Sequence, residues 1–395
     1  MPFSARQGFF SQPAGDGLPD WQSLTRAQIL AETSTWTSTG SPSVSTVVAN
    51  PLGPYGNAHF RPMVAHPNGK IYIAPCLTPL SDRILEFDPE TNTITEITMP
   101  GVNLTGSVKY NNGVLGADNK IYYCPVDAPE FLIVDPVNEV YTTTDFGFTF
   151  SGSAKFSAMV TWNNKIYAMG GGTGQPYVLI IDTDTGTATQ ETFGNDSAII
   201  LTTVNKFTSG AVSLKDDYIY FGPYDIVSSD RKVLKIDPTT NTLTKLGNAD
   251  IFTNQHTQGV GNDLDGNIIL AGHNFGSHFI KLDVDTETFI DSGIAQKCVG
   301  TKLGVDGNTY SPVFFGSGDG LAVVEQGDIA NVSTNVLSAS ITNASWGTCL
   351  HPNGKQYWFP NNSGNPMYEI TTPGTGENSS LLDRIPFTQY FNYVN

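Results

Sequence analysis

The chain has 395 residues, 37 acidic against 20 basic, and a formal net charge of −17. Binding to a nucleic-acid backbone relies on clustered Lys and Arg, so this balance excludes DNA or RNA as the main partner. No run approaches the ~18 apolar residues of a membrane-spanning helix, and the 40 Gly and 24 Pro are spread along the chain with no linker-like stretch between its halves.

In chain order, residues 1–42 stand apart as an N-terminal extension. They contain no signal-peptide core, since only Phe9 and Phe10 are adjacent apolar residues in the opening stretch. Synthesis and assembly in a reducing cytosol are therefore expected. Thr25-Arg26-Ala27-Gln28 fits a capping box, with Leu24 and Ile29 at staple positions, and predicts a short helix through Glu32.

From residue 43 to 395 one unit recurs seven times. Each copy has a polar turn, a short apolar strand, a loop, a second strand ending in Asp, a turn and a Thr-rich strand. The first copy reads HPNGKIYIAPC then RILEFDPETNTITEI, and the fourth DDYIYFGP then VLKIDPTTNTLTKL. Anchors at Ile71, Ile121, Ile166, Ile219, Ile268, Thr309 and Gln356 span six steps with a mean of 47.5 residues. That period, with four strands per unit, predicts an all-β, seven-bladed β-propeller of four-stranded antiparallel blades. The sixth copy is degraded, with LAVVEQGDI in place of the Asp-ended strand.

The turns have local causes. In DPETNT and DPTTNT the Asp carboxylate accepts N–H groups ahead of it, while Asn92, Gly186 or Asn241 takes the left-handed conformation. Asp182-Thr183-Asp184 and Asp283-Val284-Asp285 lack the remaining ligands of a calcium loop and read as hairpin turns. Two segments compete to close the ring: Ser43 to Val48, which alternates with period two and is favoured, and Leu381 to Phe387.

Cys76, Cys124, Cys298 and Cys349 lie in or beside apolar runs, with neither CxxC nor zinc spacing, and are expected as buried free thiols. No phosphate loop, G-x-S-x-G or H-E-x-x-H is present, so no catalytic, metal or cofactor residues are assigned. Sialidase boxes and WD dipeptides are also missing, and only Gly170-Gly171-Gly172 suggests a kelch repeat. The strand-turn-DP rhythm resembles that of streptogramin-lyase-like propellers, but their W-F-T-E segment has only Tyr357-Trp358-Phe359-Pro360 as a counterpart.

One pattern does emerge from aligning the copies. Counting back ten positions from the second turn residue reaches His59, Lys109, His256 and Lys297, with Lys155 one place late and Lys206 one place early. An aromatic follows in four copies. These six residues start the innermost strands and are expected to form a basic ring at one mouth of the central channel, suited to an acidic sugar, phosphate or carboxylate. The bland alternative is neutralisation of nearby acidic loops. His66 and His351 precede Pro-Asn-Gly in equivalent turns and are repeat features, while His273 and His278 are expected as solvated loop residues.

The opening MPFSARQGFF and the ending PFTQYFNYVN resemble the ends of structural proteins of tailed bacteriophages, particularly marine ones. The resemblance covers 10 to 20 residues at each end. It implies a virion component assembled in the host cytoplasm, held to other virion proteins by its terminal segments, with Phe3, Phe9 and Phe10 as anchoring residues. An outward propeller would contact a host surface receptor or an acidic glycan. A glycan- or lactone-acting propeller enzyme, or a generic protein-interaction propeller, remains the alternative.

Overall fold

The computed structural model describes residues 42–51, 60–77, 83–100, 102, 104–171, 175, 177–192, 207–224, 232–247, 256–273, 278–304, 306–313, 320–336, 347–351, 353–360 and 364–372. Its strands run β1 (Ser43–Val48), β2 (Phe60–Ala65), β3 (Ile71–Pro75), β4 (Arg83–Asp88), β5 (Thr93–Thr98), β6 (Tyr110–Leu115), β7 (Ile121–Pro125), β8 (Phe131–Asp135), β9 (Val140–Thr144) and β10 (Phe156–Trp162). Next come β11 (Lys165–Gly170), β12 (Tyr177–Asp182), β13 (Thr187–Thr192), β14 (Phe207–Val212), β15 (Ile219–Pro223), β16 (Val233–Asp237), β17 (Thr242–Leu246), β18 (Thr257–Asn262), β19 (Ile268–Gly272), β20 (His278–Asp283) and β21 (Thr288–Ala295). The last are β22 (Lys302–Leu303), β23 (Thr309–Pro312), β24 (Gly320–Val324), β25 (Val332–Val336), β26 (Gly347–Leu350), β27 (Gln356–Phe359) and β28 (Met367–Thr371).

These strands form seven four-stranded antiparallel sheets, six of them in simple chain order from β2-β3-β4-β5 to β22-β23-β24-β25. The seventh has the order β1-β28-β27-β26. Neighbouring first strands contact one another in a cycle, β2 to β6, β10, β14, β18, β22, β26 and back to β2, which makes the sheets the blades of a propeller. The N-terminal strand closes the ring, with Ser43 opposite Thr371 and Val44 opposite Ile370. Val44 packs on the cluster of Tyr310, Trp358 and Tyr368. The competing segment, Leu381 to Phe387, lies outside the described residues, as do the capping box at Thr25 and the rest of residues 1–41.

Burial falls from the second strand of each blade to the outermost. All five residues of β3, β7, β15 and β19 are buried, because each such strand is flanked by sheets on both faces. The outermost β5 and β13 hold no buried residue: the second and fifth positions of each are half-buried and the others exposed.

The turns behave as their chemistry dictates. Asp88, Asp135, Asp182, Asp237 and Asp283 each accept the backbone N–H groups two and three residues ahead, at 2.8 to 3.4 Å. Asn92 and Asn241 take positive φ of 53° and 55°. The Asp182 and Asp283 loops therefore turn their carboxylates onto backbone, and these bonds, first those from Thr185 and Thr286, hold both carboxyls below the usual range.

The turns between first and second strands also join the blades. His66 Nε2 donates to Asn119 O at 2.9 Å, Ser213 Oγ to Gly266 O at 2.8 Å and His351 Nε2 to Gly69 O at 3.0 Å. In each case the acceptor is the positive-φ residue of the next blade's turn. His66 and His351 accept the N–H of Asn68 and Asn353 on Nδ1, which sets both rings in the same tautomer. The histidine of the seventh blade thus reaches the first, across the ring closure.

Candidate functional site: the channel and its basic end

The innermost strands begin in a common register. Phe60, Tyr110, Phe156, Phe207 and Thr257 pair with Pro75, Pro125, Gly170, Pro223 and Gly272, each four places beyond its copy's Ile anchor. In the sixth blade the bridge Cys298–Val313 takes the same place relative to Thr309. The residues just before these pairs are His59, Lys109, Lys155, Lys206, His256 and Lys297.

The two apparent offsets in sequence come from turn length. Five residues separate the paired Leu115 and Ile121, but four separate Thr161 from Ile166 and six separate Val212 from Ile219. A shorter turn brings Lys155 one place late, and a longer one sets Lys206 one place early. The backbone agrees, since the carbonyls of Lys109, Lys155 and His256 accept Val126, Gly171 and His273 N–H at 2.7, 2.8 and 2.6 Å. A register shift follows immediately in all five full-length blades, the kind of bulge that redirects side chains at a strand end. His59 and Lys206 lie outside the described residues, as do Phe3, Phe9 and Phe10.

The side chains at this end do not form a uniform ring of solvated cations. Lys109 is 1% exposed, and its Nζ meets no hydrogen-bond partner among the described residues. Burial lowers its pKa, opposed by the nearby Cys76 thiol. Lys155 is 6% exposed and its Nζ donates to Asp127 O at 3.0 Å. Burial lowers this amine too, against the pull of the Asp127 carboxylate. Asp127 itself stays below the usual carboxyl range. Burial pushes it up, but Ser107 Oγ at 2.7 Å and the N–H groups of Val108 and Ala154 outweigh that.

On the opposite arc, Tyr224 lies between two histidines, 5.5 Å from His256 and 5.7 Å from His273 between ring centroids. His273 is buried, contrary to the solvated loop position expected from sequence. Burial first, then the charges of Lys297 and His256, lower its pKa to about 4, so it is neutral at pH 7. His278 begins β20 and is half-buried, with Nδ1 2.9 Å from Asp291. Lys297 is half-buried, and burial lowers its pKa.

Behind this end runs the central channel, a cavity of about 120 Å³ lined by all seven innermost segments. That space suits a small ion and a few waters, well below the ~300–1,000 Å³ of pockets for drug-sized ligands. Its wall holds Asn112, Ser209, Gln258, Thr348 and Cys349, and one charged side chain among the described residues, Lys302. Lys302 pairs with Tyr310, and the matching positions are Val64, Val114, Val160, Ala211, Gly261 and Cys349. A lysine therefore stands where five blades carry Val, Ala or Gly. Burial lowers its pKa to about 8, opposed by Cys349, whose thiol burial pushes up to about 12. Sequence reading missed Lys302 because it followed the strand starts. Comparing this interior position across the copies is the signal that exposes it.

No protein-family model and no curated protein matches the chain. Solved structures do. A streptogramin B lyase superposes with a TM-score of 0.62 at 10% identity, covering 84% of this chain and 98% of its own. Virginiamycin B lyase from Staphylococcus aureus gives 0.61 at 10%, covering 84% and 99%. The WD40 repeats of RRP9 give 0.57 at 8%, with 84% and 99% covered. At such identities the likeness speaks for the fold alone, and this chain is a β-propeller with seven blades.

Proposed function

We propose that this chain is a binding propeller working by contact rather than catalysis, a virion component whose basic channel end meets an acidic glycan on a host surface. One observation carries the binding part. Lys109, Lys155, His256 and Lys297 share a single register at one end of the channel, in a chain with only 20 Lys and Arg. Gathering three of these scarce lysines at one place in an acidic molecule favours attraction of an anionic partner there. The virion part rests on the phage-like terminal sequences and is tested separately.

A glycan array comparing wild type with Lys297→Met tests the binding reading, because Lys297 is half-buried whereas Lys109 is closed off from solvent. Acidic-glycan signal should fall about tenfold, the worth of one charge-assisted hydrogen bond. Equal signal from the two proteins would sink the proposal. Mass spectrometry of purified particles should find the chain among the virion proteins, and its absence would remove the virion assignment while leaving the binding reading intact.

A further inference from the structure

We propose that the turns of the seventh, first and second blades form a proton-operated clasp beside the ring closure, held by neutral His351 and His66 and released when these rings are protonated. The innermost strands run from the basic end to these turns, so the clasp lies at the opposite end and does not depend on the glycan reading.

Three observations converge on it. First, the bonds form one unbroken series across three blades. His351 Nε2 donates to Gly69 O at 3.0 Å, Gly69 N–H to His66 O at 3.0 Å, and His66 Nε2 to Asn119 O at 2.9 Å. The turn of the first blade is thus held by one histidine and holds the next blade with another. Second, each ring has both nitrogens committed while it is neutral. Nδ1 accepts Asn68 N–H at 3.1 Å in one turn and Asn353 N–H at 3.2 Å in the other. An imidazolium carries N–H on both nitrogens. Its new proton on Nδ1 faces a backbone N–H, so the ring must turn away and let go of the next blade's carbonyl. Third, His66 is 1% and His351 5% exposed, which leaves the new proton little access to water.

The surroundings decide which form is stable. His66 meets the Tyr72 ring edge-on and feels the charge of Asp135 on the second blade. His351 meets Tyr357 edge-on and feels Asp88 and Glu90 on the first. Lys70 and Lys355, in the same turns, are engaged by Glu86 and Glu369, which also accept the hydroxyls of Tyr72 and Tyr357. Burial outweighs the pull of the carboxylates and the rings' own hydrogen bonds, and holds both histidines below the ordinary 6.5. An opened turn therefore binds more protons than a closed one. The clasp is complete above pH 6.5 and is lost as pH falls through the lowered values. The fourth blade supplies an internal contrast. Ser213 Oγ donates to Gly266 O at 2.8 Å and accepts Lys215 N–H at 3.1 Å, the same double bond made by a hydroxyl that does not titrate here.

Hydrogen exchange of the full chain at about pH 7.5 and about pH 5, compared as protection factors, is the test. The amides of Asn68, Gly69, Asn353 and Gly354 should lose about tenfold of their protection at the lower pH. The Lys215 amide, held by Ser213, should keep its own. His66→Gln/His351→Gln preserves an amide donor toward the next blade without a titrating ring, and should abolish the fall. Cooperative melting at the higher pH reports that this variant is folded. Histidine ring NMR of the wild type is a second measurement that does not need the double variant. The two signals, identified by their loss in each single substitution, should titrate with midpoints below 6.5. No fall in the wild type, an equal fall at Lys215, a persisting fall in the folded glutamine variant, or ring midpoints at or above 6.5 overturns the proposal.

Discussion

Lys302 illustrates how one residue can work against the fold that holds it. Its amine titrates near 8 in the folded chain, below the ordinary 10.5. The unfolded chain therefore binds more protons between these values, and stability rises with pH across that window. Below about pH 8 the full penalty of burying the charge is present. Lys302→Met should accordingly raise stability at pH 7, by on the order of 1–3 kcal/mol, with the gain disappearing above pH 10.5. Denaturant titrations at pH 7 and pH 10.5 would check this, and an equal effect at both would show that the amine carries no such burden. His66 and His351 are a different case. Their role follows from two local bonds in a Pro-Asn-Gly turn plus one bond to the next blade, so their equivalence was legible in sequence, although the blade-to-blade bond was not.

Among elements, β1 decides whether the ring is closed by backbone pairing at its join. Its pairing with β28 builds the last blade from both ends of the chain. Without it, β28 becomes an exposed edge strand with unsatisfied backbone groups. Replacing Val44 by Pro removes its N–H, deletes a Val that packs near Trp358, and should lower stability by about 2–4 kcal/mol. Hydrogen exchange should accelerate first at Tyr368 to Thr371, and unchanged protection there would argue that packing alone closes the ring. Period-two alternation in SVSTVV pointed to a strand, since that pattern is local. Which strand it joins depends on a partner more than 300 residues away, Ile370 opposite Val44. Similarly, the strand starts were legible to within one residue. The remaining offset came from turns one residue shorter or longer, which leave no mark on apolar periodicity.

The whole molecule buries its thiols by stacking blades. Cys76, Cys124, Cys298 and Cys349 are all unbridged and buried, as their apolar surroundings in the sequence imply. Burial pushes Cys76 up to about 11 and Cys124 up to about 12. A thiol reagent at pH 8 should therefore modify almost none of them in the native chain and all four after denaturation. Rapid native labelling would contradict the burial.

Taken by itself, the sequence determined the repeat, the seven blades, the hairpin turns and the register of the basic residues. Each of these depends on neighbours a few positions apart or on a period that recurs. Tertiary structure alone decided that Lys109 and Lys155 are buried, that His273 is neutral, and that Lys302 faces a polar channel. Those outcomes depend on which side chains of adjacent blades meet across roughly a repeat length of chain. Desolvation there acts on contacts that no local pattern records.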